Sequence, residues 1–168
     1  HSFGSKFSES ETAGIKQLAT AILQTLEQKQ KMEEFIDSQA NDLLKNISHL
    51  VDPVLAARIL SQAGSLERLG EMPASTIQVM GAEKSLFKHL RAGTPSPKHG
   101  VIFQAGIVRG APDETRGKIA RTLAAKLAIA AKADVYSQNF IAPQLKAALE
   151  KQLEKIKEAN KGGKDDKG

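Results

Sequence analysis

From Glu9 to Val51 the chain contains no proline and a single glycine, Gly14, and this stretch limits the fold more than any other feature. Its apolar residues Ile15, Leu18, Ile22, Met32, Ile36 and Leu43 fall at three- and four-residue steps, the repeat of one helix face. The same register passes through Thr25, Lys29 and Gln39, so the seam is interrupted. A helix over this span would extend about 55–60 Å, longer than the rest of the chain could cover as one compact ball. Part of the stripe must therefore meet another helix, on a second copy or on chain outside this sequence. The spacing predicts a coiled-coil arm; an amphipathic helix packed on its own domain is the alternative.

Asp52-Pro53 ends or bends that helix, because proline lacks an N–H and disfavours helical geometry in the residue before it. A second helix carries Val54, Leu55, Ile59 and Leu60 and closes at Gly64. Ser65 caps a short helix with Leu66 and Leu69, closing at Gly70. After Met72-Pro73 another helix begins near Ser75 or Thr76 and is predicted to run through Ile77, Met80, Leu86, Phe87 and Leu90, weakened by Gly81. Residues 93–100 form a loop, and Val101-Ile102-Phe103 has the composition of a short strand but is too short to decide. Pro112 with Asp113 and Glu114 opens a helix reaching about Ala133. A last helix from about Pro143 to Asn160 aligns Leu145, Leu149, Leu153 and Ile156. The predicted fold class is all-α.

With no cysteine, disulfide scaffolds, thiol catalysis and Cys-ligated metals are excluded. Six Phe, one Tyr and no Trp argue against a multi-ring platform for single-stranded RNA. No apolar run approaches the roughly 20 residues that cross a bilayer, so a soluble, intracellular chain with no membrane partner is expected. No phosphate-binding glycine loop, nucleophile elbow or His-Glu-x-x-His motif is present. The four histidines, His1, His49, His89 and His99, have no metal-ligand spacing. Ser85 with His89 lacks a recognisable oxyanion donor, and Asp113-Glu114 reads as helix-start electrostatics. No enzymatic activity, cofactor or metal is expected.

Charge is the informative quantity. The net charge is +5, but residues 81–132 alone carry ten Lys/Arg against three Asp/Glu, a balance of +7 that leaves −2 for the rest. On the helix after Pro112, Ile119, Leu123, Leu127 and Ala130 share the arc expected to be buried, with Lys118, Arg121 and Lys132 opposite and small Ala125 among them. After Glu114 no carboxylate interrupts this face until Asp134. A polyanionic partner is expected, and the loop 95–100, with Lys98 and His99, adds weakly to the same surface.

The blocks Gly81-Ala82-Glu83-Lys84-Ser85-Leu86-Phe87-Lys88, Pro97-Lys98-His99-Gly100-Val101-Ile102-Phe103-Gln104 and Arg116 to Lys126 resemble the signatures of the Nop domain. Ala63-Gly64-Ser65-Leu66 and Pro73 to Gln78 match upstream, and the likeness covers about residues 9–160. The resemblance is to archaeal Nop-family core proteins of box C/D ribonucleoproteins, which guide ribose 2′-O-methylation during rRNA processing. It implies a helical, non-catalytic scaffold that docks on a kink-turn of the guide RNA together with the ribosomal-protein-like factor bound there. It further implies pairing with a family member through the coiled coil, and recruitment of a fibrillarin-type methyltransferase through an N-terminal domain absent here. The arm then corresponds to the returning helix of a hairpin. The cytoplasm is the expected location for an archaeal member, and the nucleolus for a eukaryotic one.

Carried over by position, Gly81, Ala82, Glu83, Lys84, Lys88, Arg91, Lys98, His99, Gln104, Arg109, Arg116, Lys118, Arg121 and Lys126 would meet the RNA or its bound protein. Gln104 falls where the family places a side chain near an exposed nucleotide, and Glu83 has a structural alternative. Ala105 stands where His is common, Lys132 where Arg is, Asp52 where Gly is, and Gln39-Ala40 where Arg-Met is. The expected division is 1–8 disordered or tag remnant, 9–51 coiled-coil arm, 52–137 Nop ribonucleoprotein-binding domain, 138–160 C-terminal helix and 161–168 disordered tail. Two other readings are a spliceosomal Nop relative that binds a kink-turn in splicing RNA, and a helical scaffold whose basic face meets an acidic protein.

Overall fold

A computed structural model describes residue 4 and residues 7–165, the last five by backbone alone. Among the described residues there are helices and turns and no strand, the all-α class expected. Packing divides the chain into two compact units, the first ending at Ile36 and the second beginning at Asp37.

Helix α1 spans Glu9–Leu43. Ser8, expected within a disordered segment or tag remnant over 1–8, instead starts it. The Ser8 N–H donates to Glu11 Oε2 at 2.8 Å, and Glu11 N–H returns to Ser8 Oγ at 3.3 Å, a reciprocal capping box signalled by S-x-x-E. Residues 1–3, 5 and 6 lie outside the described residues. Within the first unit the expected apolar stripe is exposed: Ile15, Leu18, Ile22 and Met32, joined by Leu26 and Phe35. Ion pairs Lys29–Glu33 and Glu27–Lys31 line the helix at four-residue spacing.

The second unit holds the core. Helix α2 is Lys45–Leu50 and α3 is Pro53–Ala63. The single helix expected over 9–51 is therefore broken at Leu44, which leaves helical geometry at φ −126°, ψ 48° and is wholly buried. The cause is distant in sequence. Asp134 accepts the first free amides of α2, from Asn46 at 2.9 Å and Ile47 at 3.2 Å, doing what a local N-cap would do. Buried Asn46 completes the joint: its Nδ2 donates to Asp134 Oδ1 and to the Asn139 carbonyl, and its Oδ1 accepts from Ile141 N–H. Leu44, Ile47 and Val51 are core residues, so the last turns of the expected arm belong to the domain.

Asp52 caps α3 by accepting from Leu55 N–H at 2.8 Å, with Pro53 in the first turn. Ser65 caps α4, Leu66–Glu71. Gly70 does not close that helix but lies inside it, buried, where a Cβ would meet Val135 Cγ2 at 2.8 Å. The long helix expected through Ile77 and Leu90 is two, α5 at Ala74–Val79 and α6 at Glu83–Ala92. Between them Gly81 takes φ 82°, a left-handed turn that suits glycine. The returning loop uses the freed carbonyls: Gly100 N–H donates to Gln78 O at 2.8 Å and Val101 N–H to Met80 O at 2.7 Å.

Residues Val101–Gln104 form a 3₁₀ turn, not a strand, with Ile102 wholly buried. Short α7, Gly106–Arg109, leads to α8, Asp113–Lys132, the helix against which α2, α4, α5 and α9 pack. Ile119, Leu123, Leu127 and Ala130 face the core as predicted. A π-type turn, Ala133–Ser137, precedes α9, Ala142–Asp165, which buries Leu145, Leu149 and Leu153. The backbone thus stays helical over residues 161–165, where a disordered tail was expected; residues 166–168 lie outside the described residues.

Candidate nucleic-acid interface

Three features fix the loop 93–100 against the end of α5 and against α8. Gln78 is buried and donates from Nε2 to the Lys98 carbonyl at 2.8 Å. Gly100 approaches the 79–80 backbone so closely that a Cβ would sit 1.9 Å from the Met80 carbonyl oxygen, so only glycine fits. Gly117 on α8 lies under the aliphatic stem of Lys98, close enough that a Cβ would contact it at 3.6 Å.

Asp113, at the first turn of α8, then gathers two cations. Its Oδ2 is 3.3 Å from Lys98 Nζ and its Oδ1 is 2.8 Å from Arg116 Nη1. Arg116 also donates from Nη2 to the Ala111 carbonyl at 2.9 Å, and its guanidinium lies 5.7 Å from the Phe103 ring centre. His99 stacks on Phe103 with centroids 4.7 Å apart. Partial burial, reinforced by the charge of Arg116, holds its imidazole below the usual histidine range. Two partners and a ring already engage Arg116, so much of its role is to tie the start of α8 to residue 111 and to the 3₁₀ turn.

Between loop and helix lies an open concavity of about 310 Å³ lined by Lys98, Asp113, Gly117, Lys118 and Arg121 among others. Lys118 and Arg121 are exposed one turn apart on α8. Glu114 also lines it, so three cations, Lys98, Lys118 and Arg121, face two carboxylates there, with His99 and Arg116 beside it; Lys118 and Arg121 are the cations placed to meet phosphate oxygens.

The other candidates sit elsewhere and do not line this concavity. Gly81 and Ala82 form the turn before α6, and Glu83 Oε1 accepts from Gly81 N–H at 2.7 Å, a structural role. Lys84 and Lys88 are exposed on α6, a helix that buries no residue. Arg91 lies 4.5 Å over the exposed Phe87 ring. His89 Nδ1 pairs with the Thr94 carbonyl, which straps the loop to α6 and gives this imidazole a structural use apart from Ser85. Arg109 is exposed at the end of α7, and Lys126 is half-buried further along α8. Gln104 is exposed and receives a hydrogen bond from Arg58. Ala105 is buried.

Sequence reasoning passed over Gln78, Phe103 and Arg58 as site residues, and saw Asp113 only as a helix start. The Pro112-Asp113 signal is real but incomplete, because the carboxylate serves the helix end and the loop together. Among the described residues no group of three or more His, Asp or Glu could hold a metal ion, and no helix is long and apolar enough to cross a membrane.

Residues 1–155 match the Nop family, described as "snoRNA binding domain, fibrillarin". The chain belongs to the Nop family. This Nop chain is 43% identical over 157 residues to an uncharacterized NOP5 family protein of Methanocaldococcus jannaschii, covering 94% of the chain and 38% of that protein. It is 38% identical over 136 residues to nucleolar protein 58 of Sclerotinia sclerotiorum, covering 81% of the chain and 24% of that protein. The fold is similar to a chain in the crystal structure of a fibrillarin/Nop5p complex, with TM-score 0.66 and 34% identity over 90% of this chain and 56% of that one. The Nop chain therefore spans less than two fifths of the length of these curated relatives.

Proposed function

We propose that this Nop chain is a non-catalytic RNA-binding scaffold of the box C/D ribonucleoprotein that guides ribose 2′-O-methylation. It docks on a kink-turn RNA together with the ribosomal-protein-like factor already bound there. The observation that carries the reading is the pair of exposed cations Lys118 and Arg121 on α8, set beside Lys98 on a pinned loop across a concavity that Asp113 and Glu114 also line. A rigid helical surface with cations at fixed spacing recognises a folded phosphate backbone by shape and charge. Helix α6, with Phe87 and Leu90 exposed beside Lys84 and Lys88, supplies the mixed apolar and basic contacts that a protein–RNA composite requires.

The exposed stripe of α1 pairs with a family member, and the fibrillarin-type methyltransferase is recruited through the part of the longer relatives that this chain does not span. The work is done in the cytoplasm of an archaeon, or in the nucleolus of a eukaryote. The names of the relatives, a NOP5 family protein and nucleolar protein 58, favour this assembly over a splicing one. The test is a titration of the chain against bare kink-turn RNA and against the same RNA carrying its ribosomal-protein-like factor. The dissociation constant should be at least about tenfold lower for the preformed complex, about 1.4 kcal/mol. Equal affinities would contradict the composite surface, and a complex that survives nuclease would favour an acidic protein partner.

A further inference from the structure

Of the six prolines, two follow a hydroxyl residue, Pro95 after Thr94 and Pro97 after Ser96, and both lie in the loop pinned beside α8. The loop is tied on either side of this pair. His89 Nδ1 pairs with the Thr94 carbonyl, and Gln78 Nε2 holds the Lys98 carbonyl. Between the ties, each proline fixes its own φ and keeps the residue before it out of helical geometry. Ser96 therefore sits exposed in a pre-ordered, non-helical stretch, whereas Thr94 is half-buried. Ser96 also lines the concavity that holds Lys98, Lys118, Arg121, Asp113 and Glu114. Three cations against two carboxylates leave that concavity with a balance of one positive charge. Lys98 is already shared with Asp113 at 3.3 Å, but among the described residues Lys118 and Arg121 form no ion pair.

We propose that Ser96 is a phosphorylation site whose phosphate seats on Lys118 and Arg121 and closes the concavity to RNA. A phosphoserine carries about −1.5 to −2 charges near neutral pH, with three strong acceptor oxygens. One modification thus turns the local balance from positive to negative. The sign decides the outcome, because the unmodified surface draws RNA phosphates and the modified one repels them. Asp113 and Glu114 repel the new phosphate as well, and Asp113 already holds Lys98, so the two unpaired cations further along α8 are its partners. The donor is a nucleoside triphosphate, and the enzyme is a separate proline-directed protein kinase. The Oγ–P bond forms as the γ-phosphorus leaves its bridging oxygen; the hydroxyl proton passes to the kinase's carboxylate base and the nucleoside diphosphate departs. The inhibitory effect rests on the RNA-binding reading above; the modification and its seat do not.

The test uses the full chain. Treated with a proline-directed kinase and ATP, it should gain a phosphoryl group that peptide mass spectrometry places at Ser96 and that Ser96→Ala does not acquire. No incorporation, or incorporation at Thr94 alone, would overturn the proposal. Phosphorus NMR of the modified chain then reads the seat of the phosphate without RNA. Its titration midpoint should lie at least about 0.5 pH units below that of the same phosphate in K118Q/R121Q, because nearby cations favour the dianion. Equal midpoints would overturn the assignment to α8. Last, the modified chain should bind the preformed kink-turn complex at least about tenfold more weakly than the unmodified chain, on the scale of lost phosphate contacts. Equal affinity would overturn the proposal. If the unmodified chain failed to bind that complex at all, the RNA-binding reading would fall and the inhibitory effect with it. The NMR midpoint would still decide whether the phosphate seats on Lys118 and Arg121.

Discussion

At the scale of single residues, Gly100 and His99 show how tightly the loop is specified. The Met80 carbonyl oxygen occupies the space a Cβ at position 100 would need, so Gly100→Ala must push the loop away and break two backbone hydrogen bonds. Urea unfolding should show a loss of about 3 kcal/mol, at the upper end for overpacking; an unchanged midpoint would mean the loop is not anchored there. His99 gives a pH signature. Its folded pKa lies below the ordinary value because burial and Arg116 disfavour the charged ring, so the unfolded chain binds the proton more readily. Stability from this group is present above about pH 6.5 and is lost as pH falls through the lower folded value. Urea midpoints at pH 7.5 and 5.5 should differ less in His99→Phe than in the unaltered chain; an equal difference would remove His99 as a source. Bound phosphate works in the opposite direction and should raise the His99 midpoint in a titration followed by NMR.

At the scale of elements, the joint around Asn46 is the clearest case of structure set from a distance. Asn46→Ala would delete three side-chain hydrogen bonds and strand the Ile141 N–H and the Asn139 carbonyl. Buried unsatisfied groups cost about 1–3 kcal/mol each, and the expected loss is about 3 kcal/mol by chemical denaturation; a loss under about 1 kcal/mol would show that water replaces the side chain. What the sequence disclosed about elements follows from the range of the forces involved. Asp52-Pro53 and Ser65 were legible because a cap acts within three residues of itself, and α8 because a proline and two acids mark its first turn and its apolar repeat is long. The break at Leu44 was not, because the carboxylate that caps α2 lies at Asp134. The split of α5 from α6 was hidden for a related reason: Gly81 alone is compatible with a weakened helix, and the deciding hydrogen bonds come from Gly100 and Val101. For the site, the cationic segment was legible as composition. The clamp of Asp113 on Lys98 and Arg116, and the contact of Arg58 with Gln104, needed tertiary structure to meet.

At the scale of the whole molecule, the chain combines an exposed apolar helix in one unit with exposed cations on α8 in the other. The stripe of Ile15, Leu18 and Ile22 is more than half exposed at every position, which calls for a partner helix. Sedimentation should show concentration-dependent association that Ile22→Asp weakens at least fivefold; identical behaviour would take this stripe out of the interface. In the other unit, Lys118 and Arg121 are proposed to meet phosphates. The most direct measurement is the salt dependence of binding to the preformed kink-turn complex, for the unaltered chain and for K118E/R121E. Each phosphate contact contributes roughly 0.7–0.9 to the slope of log K against log salt concentration. The double variant should bind at least tenfold more weakly, with a slope shallower by about 1.4–1.8. Unchanged affinity and an unchanged slope would show that the ribonucleoprotein binds elsewhere.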